Sequence, residues 1–313
     1  MPEWIVTDSD AGERLDKFLA AADRAGSRGK AVDALDRRKV FLNDRELTRA
    51  DAGLRVAAGD VVRLWMDRPG SARRRATLGA RRDLPIVYED DHLVVLNKPA
   101  GLLAVPLPRE RRADARSVFE DLEDYLVRAR RRPFVVHRID RDTSGLVLFA
   151  KTAADQAALK AQFKRREPTR LYQAVVYGHP SPAAGTWNDT LVWDAKAMIQ
   201  KETSPRDPRG KPAVCRYVVK ERLAGASLIE VSLVTGRRNQ IRIQARLRGH
   251  TLVGEQRYVY GPDLLRPIPF PRQALHAYHL AFRHPVDGRA MEFDAPLPAD
   301  LAALIERLRH RET

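Results

Sequence analysis

Cysteine is almost absent from the sequence, because Cys215 is the only one among 313 residues. A single cysteine can form neither an internal disulfide nor a thiolate zinc site, so the sequence predicts a protein of the reducing cytoplasm. Cys215 lies in the segment AVCRYVV, which has the composition of a strand. We therefore expect its side chain to be a small buried group and not a nucleophile.

Long apolar runs are missing as well. No segment approaches the roughly 18 consecutive apolar residues that a membrane-spanning helix needs. The amino-terminal segment MPEWIVTDSDAGERLD is acidic and has no apolar stretch of the kind found in signal peptides. The sequence therefore predicts a cytoplasmic protein that does not contact a membrane.

Several familiar site motifs are not present. The sequence contains no Walker loop, no dinucleotide-binding glycine pattern and no G-x-S-x-G elbow. His137 and Asp140 are three positions apart and could share a metal ion, but no further His, Asp or Glu cluster has the spacing of metal ligands. We therefore predict no metal site.

Acidic residues are outnumbered by basic ones. The chain has 41 Asp and Glu against 56 Lys and Arg, which gives a formal net charge of +15, and its pI is about 10.3. Such an excess favours a polyanionic partner, and the clustering of the arginines favours nucleic acid over a generally basic, solvated surface.

Residues 1–66 have the pattern of a small α/β domain. Leu15, Phe18 and Leu19 are spaced as on one face of a helix, and Ser27 is a candidate N-cap for a second helix. Short strand-like segments follow. A helix with a basic face could lie along a phosphate backbone, and an ordinary solvated face is the alternative. The basic residues of this second helix and its end are Arg28, Lys30, Arg37, Arg38 and Lys39.

Residues 67–83 have the composition of a linker, with Gly, Ser, Pro and six arginines. From residue 84 to residue 313 strand-like and helix-like segments alternate. A Ser117/Glu120 capping box and Thr152 mark two helix starts, and the segment RNQIRIQARLRGH has helical spacing. We predict an α+β domain with a mixed, mainly antiparallel sheet.

The segment VVHRIDRDTSGLVLFAKT places charged residues directly before a buried strand. A carboxylate beside cations stays ionised even when it is partly desolvated, and such a carboxylate can act as a nucleophile. From the residues alone, a structural ion pair in a turn is the more common use of such a group. The residues concerned are Asp140 with Arg138 and Arg141, and a second basic cluster, GRRNQIR, with Arg237, Arg238 and Arg242.

This segment closely resembles the signature H-R-L-D-x-x-T-S-G-L of the RluA-type pseudouridine synthases, with Ile139 in place of Leu. LPIVYEDDHLVVLNKPAGLLAVP, RLYQAVVYG, LVTGRRNQIRIQARLRGHTLVG and QALHAYHLAFRHP resemble further family segments in the family's order. Arg170 stands where Lys is usual. The resemblance covers nearly all of residues 84–313 and implies the pseudouridine synthase fold and the isomerisation of uridine in RNA without a metal or an organic cofactor.

The resemblance also implies roles for individual residues. Asp140 would be the catalytic carboxylate, Arg242 its partner, and Tyr172 the tyrosine that stacks on the uracil and takes part in proton transfer. Arg138 would fill the space that the extracted base leaves. We expect RNA contacts from the basic residues named above, namely Arg138, Arg141, Arg237, Arg238, Arg28, Lys30, Arg37, Arg38 and Lys39.

Two positions depart from the family pattern. Asn239 replaces the common His of G-R-x-H-Q, and Glu255 replaces a common Asp. Neither position carries the chemical step in the family, so we expect altered packing or substrate fit and not a loss of activity.

Residues 1–66 are similar to a small RNA-binding domain of the ribosomal small-subunit protein type, which often precedes this catalytic domain. The resemblance favours large-subunit rRNA as the substrate and tRNA as the alternative, and we expect a monomer. A non-catalytic RNA-binding assembly factor and a metal-dependent hydrolase are the competing hypotheses. The presence of Asp140, Tyr172 and Arg242 together argues against the first of these.

Overall fold

The computed structural model describes residues 2–36, 39–65, 84–106, 116–258 and 268–310. The chain divides into two compact units, Met1–Arg82 and Asp83–Thr313. Among the described residues, each unit has hydrophobic clusters of its own.

The first unit contains a small antiparallel sheet and two helices. Its buried cluster includes Leu15, Phe18 and Leu19, the predicted helix face, together with Leu35 and Val62. The predicted N-cap is confirmed, since Ser27 Oγ accepts a hydrogen bond from the backbone N–H of Lys30 at 3.3 Å. In the order β1-β4-β2-β3 the strands are β1 (Glu3–Ile5), β4 (Val61–Leu64), β2 (Val40–Leu42) and β3 (Arg45–Glu46), and the helices are α1 (Leu15–Phe18) and α2 (Arg28–Asp36).

The second unit is built on one large sheet. In its described part the path of neighbouring strands is β11-β10-β12-β13-β9-β14-β8-β6-β5, with β15 beside β14 and β7 beside β8. All of these pairs are antiparallel except β14 with β8, so the predicted mixed, mainly antiparallel sheet is confirmed. The strands are β5 (Ile86–Glu89), β6 (Leu93–Lys98), β7 (Phe134–Val135), β8 (Ser144–Ala150), β9 (Thr169–Tyr177), β10 (Ala184–Asp194), β11 (Ile199–Glu202), β12 (Lys211–Leu223), β13 (Ala226–Leu233), β14 (Leu275–Arg283) and β15 (Ala290–Asp294).

Four helices accompany this sheet in the described residues: α3 (Val118–Leu126), α4 (Ala153–Arg165), α5 (Gln240–Leu247) and α6 (Ala299–Arg309). The predicted capping box is present, because Ser117 Oγ accepts from the N–H of Glu120 and Glu120 Oε2 accepts from the N–H of Ser117. Thr152 caps α4 by accepting from the N–H of Asp155 at 3.1 Å. Local side-chain bonds therefore set where these helices begin.

Strand β8 is buried along its whole length, and it connects the charged segment 136–143 to the centre of the sheet. At its start Gly145 has φ +116°, and a Cβ there would lie 2.1 Å from the carbonyl oxygen of Ala277 on β14. Glycine therefore allows the close parallel contact between β8 and β14.

The largest hydrophobic cluster joins this sheet to α3 and α5. It contains Leu96 of β6, Leu122 of α3, Ala174 of β9 and Ile241 of α5, and Ile139 of the charged segment packs into it as well. The residue directly before Asp140 is thus anchored in the core. Within the described ranges, every helix falls short of the length and apolarity that crossing a membrane demands.

Candidate active site

The segment 136–143 is held by two buried cations. The ammonium group of Lys98 donates to the carbonyl oxygens of Pro99, Leu102 and Arg141 at 2.7–2.8 Å. Burial lowers the pKa of Lys98 to about 7, against the opposing charges of Asp142 and Asp140. The backbone of this segment is therefore fixed at Arg141 by the side chain of the last residue of β6.

Arg272 holds the same segment from a second direction. Its guanidinium donates to the carbonyl oxygen of Asp142 at 3.1 Å and forms a two-pronged ion pair with Asp300 on α6, at 2.7 and 2.9 Å. The carbonyl groups of Arg141 and Asp142 are thus tied to residues distant in sequence, which gives the rigid support that a precise site needs.

His137 has a structural position. Its Nε2 accepts a hydrogen bond from the backbone N–H of Leu148 at 3.1 Å, and its ring stacks on Phe163 with centroids 4.9 Å apart. Burial, with a smaller contribution from the charge of Arg170, lowers the pKa of His137 to about 3. His137 thus binds the backbone of β8, and its ring remains neutral.

Asp140 lies beside Arg242, as the sequence predicted. Its Oδ2 accepts from Arg242 Nη1 at 3.1 Å and from the side-chain amide of Asn239 at 2.7 Å. The exposed fraction of the side chain is 22% for Asp140 and 9% for Arg242. A reacting group can therefore reach Asp140, whereas its partner is enclosed.

A second carboxylate binds the same arginine. Glu255, whose side chain has no exposed surface, accepts from Arg242 Nε and Nη2 at 2.6 Å each. Burial acts to lower the pKa of Arg242, but the hydrogen bonds and charges of Glu255 and Asp140 outweigh it and raise that pKa. Burial likewise acts to raise the pKa of Glu255, and Arg242 holds it below its usual value. The arginine is a permanent cation between two carboxylates.

Tyr172 lies on β9 and is buried in the same cluster that anchors Ile139. Burial raises the pKa of Tyr172, the positive charge of Arg170 opposes this, and the negative charge of Asp140 adds to it. The phenol is neutral near pH 7, so its hydroxyl keeps its proton. A neutral ring suits stacking against a base.

Comparison with known proteins decides the family. A family model described as RNA pseudouridylate synthase matches residues 92–247. The chain is 35% identical to the Ribosomal large subunit pseudouridine synthase D of Zymomonas mobilis, covering 97% of this chain and 96% of the relative. It is 36% identical to the Uncharacterized RNA pseudouridine synthase YlyB of Bacillus subtilis, covering 97% of each.

The chain belongs to the RNA pseudouridylate synthase family. The solved structure titled Human RNA Pseudouridylate Synthase Domain Containing 1 is similar as well, with 25% identity, a TM-score of 0.58 and coverage of 72% of this chain and 89% of that one. The predicted family, fold class and enzyme class are confirmed: the protein is an RNA pseudouridine synthase, an isomerase, and the hypotheses of a metal-dependent hydrolase and a non-catalytic factor are set aside. Asp140, Tyr172 and Arg242 all lie within the matched residues.

The mouth of this synthase site is lined with arginines. Arg138 and Arg141 are exposed on the segment that carries Asp140. The guanidinium carbon of Arg238 lies 4.2 Å from the ring centroid of Trp193. The pKa of Arg238 is lowered, mainly by burial and to a smaller extent by the positive charge of Arg138. Arg237 is turned toward β12, where its Nε donates to the carbonyl oxygen of Pro212 at 3.0 Å. Arg138 and Arg141 flank Asp140 along the chain, and the charge of Asp140 also acts on Arg238.

The predicted basic residues of the first unit are only partly described. Arg28 and Lys30 are exposed on α2, and Arg28 lies 3.7 Å from Asp16. Arg37 and Arg38 lie outside the described residues, and Lys39 is half-buried at the start of β2.

Four residues of the synthase site were not assigned a site role from the sequence. Asn239 and Glu255 were expected to change packing or substrate fit, yet both contact the Asp140–Arg242 pair directly. Lys98 and Arg272 received no role. For Lys98 the sequence did contain a signal, because a lysine at the end of the apolar strand LVVLNK is expected to be buried and a buried lysine needs hydrogen-bond partners.

Proposed function

We propose that this synthase converts uridine to pseudouridine in large-subunit ribosomal RNA, with Asp140 as the catalytic carboxylate. The observation that carries the assignment of Asp140 is its accessible carboxylate, held 3.1 Å from the enclosed guanidinium of Arg242 on a fixed loop. The RNA class rests on the relatives named Ribosomal large subunit pseudouridine synthase D, including that of Salmonella typhimurium at 34% identity.

The reaction needs few groups. The bond between ribose C1′ and N1 of uracil breaks, the ring turns, and C1′ bonds to C5, which loses its proton while N1 gains one. No electrons are gained or lost. Asp140 acts at the reacting carbons, and Arg242 orients its carboxylate through the hydrogen bond from Nη1 and compensates its charge.

Tyr172 is proposed to contact the uracil base. In this proposal its ring stacks on the uracil while it is detached, and its hydroxyl takes part in the proton transfer at C5. The raised pKa of Tyr172 keeps the phenol neutral, so the hydroxyl both donates and accepts hydrogen bonds.

The arginines at the mouth of the site bind the RNA strand. A target base inside a helix must be extracted, and the exposed Arg138, two residues before Asp140, fills the space that it leaves. Arg141, Arg237 and Arg238 bind phosphates near the target, and the stacking of Arg238 on Trp193 prepares a flat cationic surface for a neighbouring base.

The first unit is proposed to be a second RNA anchor, of the small RNA-binding type that its sequence resembles. Arg28, Lys30 and Lys39, together with Arg37 and Arg38, would contact phosphates. Phosphate contacts of this kind hold the RNA without selecting a sequence.

Pseudouridine mapping of total RNA tests the substrate. Cells that lack the gene are expected to lose pseudouridine at one or a few positions of the large-subunit rRNA. A plasmid carrying the wild-type gene should restore them, and one carrying Asp140→Asn should not. Loss confined to tRNA would contradict the rRNA assignment, and full restoration by Asp140→Asn would contradict the role of Asp140.

A further inference from the structure

The two oxygens of Asp140 have different surroundings. Among the described residues, Oδ2 accepts both hydrogen bonds that side chains donate to this carboxylate, from Asn239 Nδ2 at 2.7 Å and from Arg242 Nη1 at 3.1 Å. Within the described part of the chain no hydrogen bond reaches Oδ1. Two donors on one oxygen fix the plane of the carboxylate and leave the other oxygen open.

Glu255 limits how Arg242 can bind Asp140. A guanidinium usually grips a carboxylate with two parallel hydrogen bonds. Here Nε and Nη2 of Arg242 are already bound to the two oxygens of Glu255, at 2.6 Å each. Held in this orientation, Arg242 reaches Asp140 through Nη1 alone, at 3.1 Å from Oδ2, and does not bind both oxygens of that carboxylate.

Glu255 is itself immobile. Its Oε1 also accepts the backbone N–H groups of Arg257 at 2.7 Å and Tyr258 at 3.2 Å. Its side chain is fully enclosed. With four donors around one buried carboxylate, Glu255 determines the position of the guanidinium.

Asn239 is placed by its backbone. It precedes α5 with φ +53° and ψ +24°, the left-handed conformation that asparagine adopts more readily than most residues. An amide oxygen 2.7 Å from a carboxylate oxygen would be repelled, so the NH₂ group faces Asp140. The amide oxygen points to the hydroxyl of Tyr258, 3.5 Å away, which in turn accepts the N–H of Gln200 at 2.8 Å.

We propose that Asn239 and Glu255 are positioning residues that make the oxygens of Asp140 inequivalent, so that Oδ1 alone is presented to the substrate. This inference rests on the proposed role of Asp140. The other charged or titratable groups around Asp140 are Arg138, Arg238, Lys98, Tyr172 and Tyr258. In the described part of the chain, none of these groups donates a hydrogen bond to Asp140.

The test uses full-length protein and total RNA from cells that lack the gene, grown with uridine tritiated at C5. This RNA contains the enzyme's unmodified sites in whichever RNA they occur. The variants are Asn239→Gly, which removes the amide and keeps the left-handed backbone, and Asn239→Asp, which keeps the shape, removes the donor and adds a negative charge beside Asp140. A third variant, Asn239→His, keeps an N–H donor. Tritium release yields kcat and KM, filter binding yields the RNA Kd, and thermal melting yields Tm.

Asn239→Gly and Asn239→Asp are expected to lower kcat roughly 10- to 100-fold, the effect of losing one hydrogen bond to a charged group, with KM and Kd nearly unchanged. Asn239→His should recover most of the loss. Glu255→Gln should lower kcat in the same way, because the guanidinium of Arg242 is then no longer held in the orientation that directs Nη1 to Oδ2 of Asp140. If Asn239→Gly does not fold, Asn239→Asp decides the matter.

Asn43 provides a matched control. It also has a left-handed backbone, with φ +49°, and its amide donates to a carboxylate oxygen of Asp60 at 2.7 Å in the first unit. Asn43→Gly should leave kcat unchanged. The inference is overturned if Asn239→Gly and Asn239→Asp keep wild-type kcat, or if kcat falls equally in Asn239→His. If Asp140→Asn keeps wild-type turnover, the proposed role of Asp140 itself is wrong.

Discussion

At the residue scale, the candidate site is built around a row of three charged side chains. Glu255, Arg242 and Asp140 alternate in sign, and the burial of their side chains decreases from the first to the last. Burying ions is costly unless each has a partner with good geometry. Glu255 and Arg242 provide this geometry, and the more exposed Asp140 is the group that we propose acts on the substrate.

Asp140→Asn is expected to reduce turnover at least about 1000-fold while RNA binding persists, because the amide has nearly the same shape but cannot act as a carboxylate. Tritium release from C5-labelled uridine in RNA measures the turnover. Asp142→Asn, in the same loop, is the matched control and should stay close to wild type. Turnover of Asp140→Asn within tenfold of wild type contradicts the assignment.

Arg242→Ala leaves two carboxylates without their cation, one of them fully buried. Breaking such a pair costs about 3–5 kcal/mol of folding free energy, and turnover should fall far more than RNA affinity. Arg242→Lys should recover only part of both losses, since a point charge cannot reproduce three directed donors. Denaturant unfolding, tritium release and filter binding measure these effects.

Arg216→Ala is the control for this pair of variants, because Arg216 is exposed on β12. A surface substitution of this kind changes stability by about 0.5 kcal/mol or less. Equal modest effects from Arg242→Ala, Arg242→Lys and Arg216→Ala would mean that Arg242 only contacts phosphate.

At the element scale the approach of β8 to β14 decides where the catalytic loop leaves the sheet. An alanine at position 145 would place its Cβ 2.1 Å from the carbonyl oxygen of Ala277. Backbone atoms cannot give way as a flexible side chain can. The two strands must separate, and the segment 136–143, which ends two residues before Gly145, must move with them.

Gly145→Ala is therefore expected to lower the free energy of unfolding by more than about 3 kcal/mol and to reduce turnover in the protein that still folds. Gly225→Ala is the matched control, since Gly225 also has a positive φ, +66°, but nothing lies within 4 Å of its added Cβ. That variant should lose only about 1 kcal/mol, the usual cost of a left-handed alanine. Similar losses in both variants would show that β8 and β14 can adjust.

His137 connects the loop to β8 and α4, and its buried ring makes folding sensitive to acid. The pKa of His137 is lowered to about 3 in the folded protein from an ordinary value of 6.5. Between these values the unfolded chain binds more protons than the folded one, so stability falls as the pH drops from 6.5 toward 3.

Replacing this ring by a side chain that does not titrate should flatten that acid slope. His137→Gln is expected to be less stable than wild type at pH 7, because it loses the stacking on Phe163, and to lose less by pH 4. Urea unfolding at several pH values between these two measures the slope. An identical slope in both proteins would mean that His137 is protonated at its ordinary pKa in the folded state.

At the scale of the whole molecule, the two compact units and the net charge of +15 suit a long RNA. Each unit has a hydrophobic cluster in its described residues. The catalytic groups all lie in the second unit, while exposed basic side chains occur in both. Both units can therefore contribute to RNA affinity, whereas the proposed reaction depends on the second unit alone.

Removal of residues 1–83 should weaken RNA binding without changing kcat at saturating RNA. For the full chain, affinity should fall by roughly a hundredfold or more between 50 and 200 mM salt, because phosphate contacts release counterions. The shortened protein should show a shallower slope, since fewer phosphates are neutralised. Filter binding across this salt range measures both, and equal affinities for the two proteins would remove the first unit as an RNA anchor.

The sequence by itself determined the features that depend on neighbours along the chain. Helix starts at Ser27, Ser117 and Thr152 follow from side chains that cap N–H groups three residues away. The family follows from ordered motifs, and the basic character follows from composition. The pair of Asp140 with Arg242 was predicted from the motifs that contain them, and not from any physical argument that joins two segments so far apart.

Only the tertiary structure decided which side chains meet around that pair. Asn239 and Arg242 are 99 and 102 positions from Asp140, and Lys98 reaches the carbonyl oxygen of Arg141 across 43 positions. Contacts at such separations depend on the order of strands in the sheet and on the packing of α5 against it, which no local pattern contains. The same packing turned Asn239 and Glu255, two departures from the family pattern, into partners of the catalytic carboxylate and its arginine.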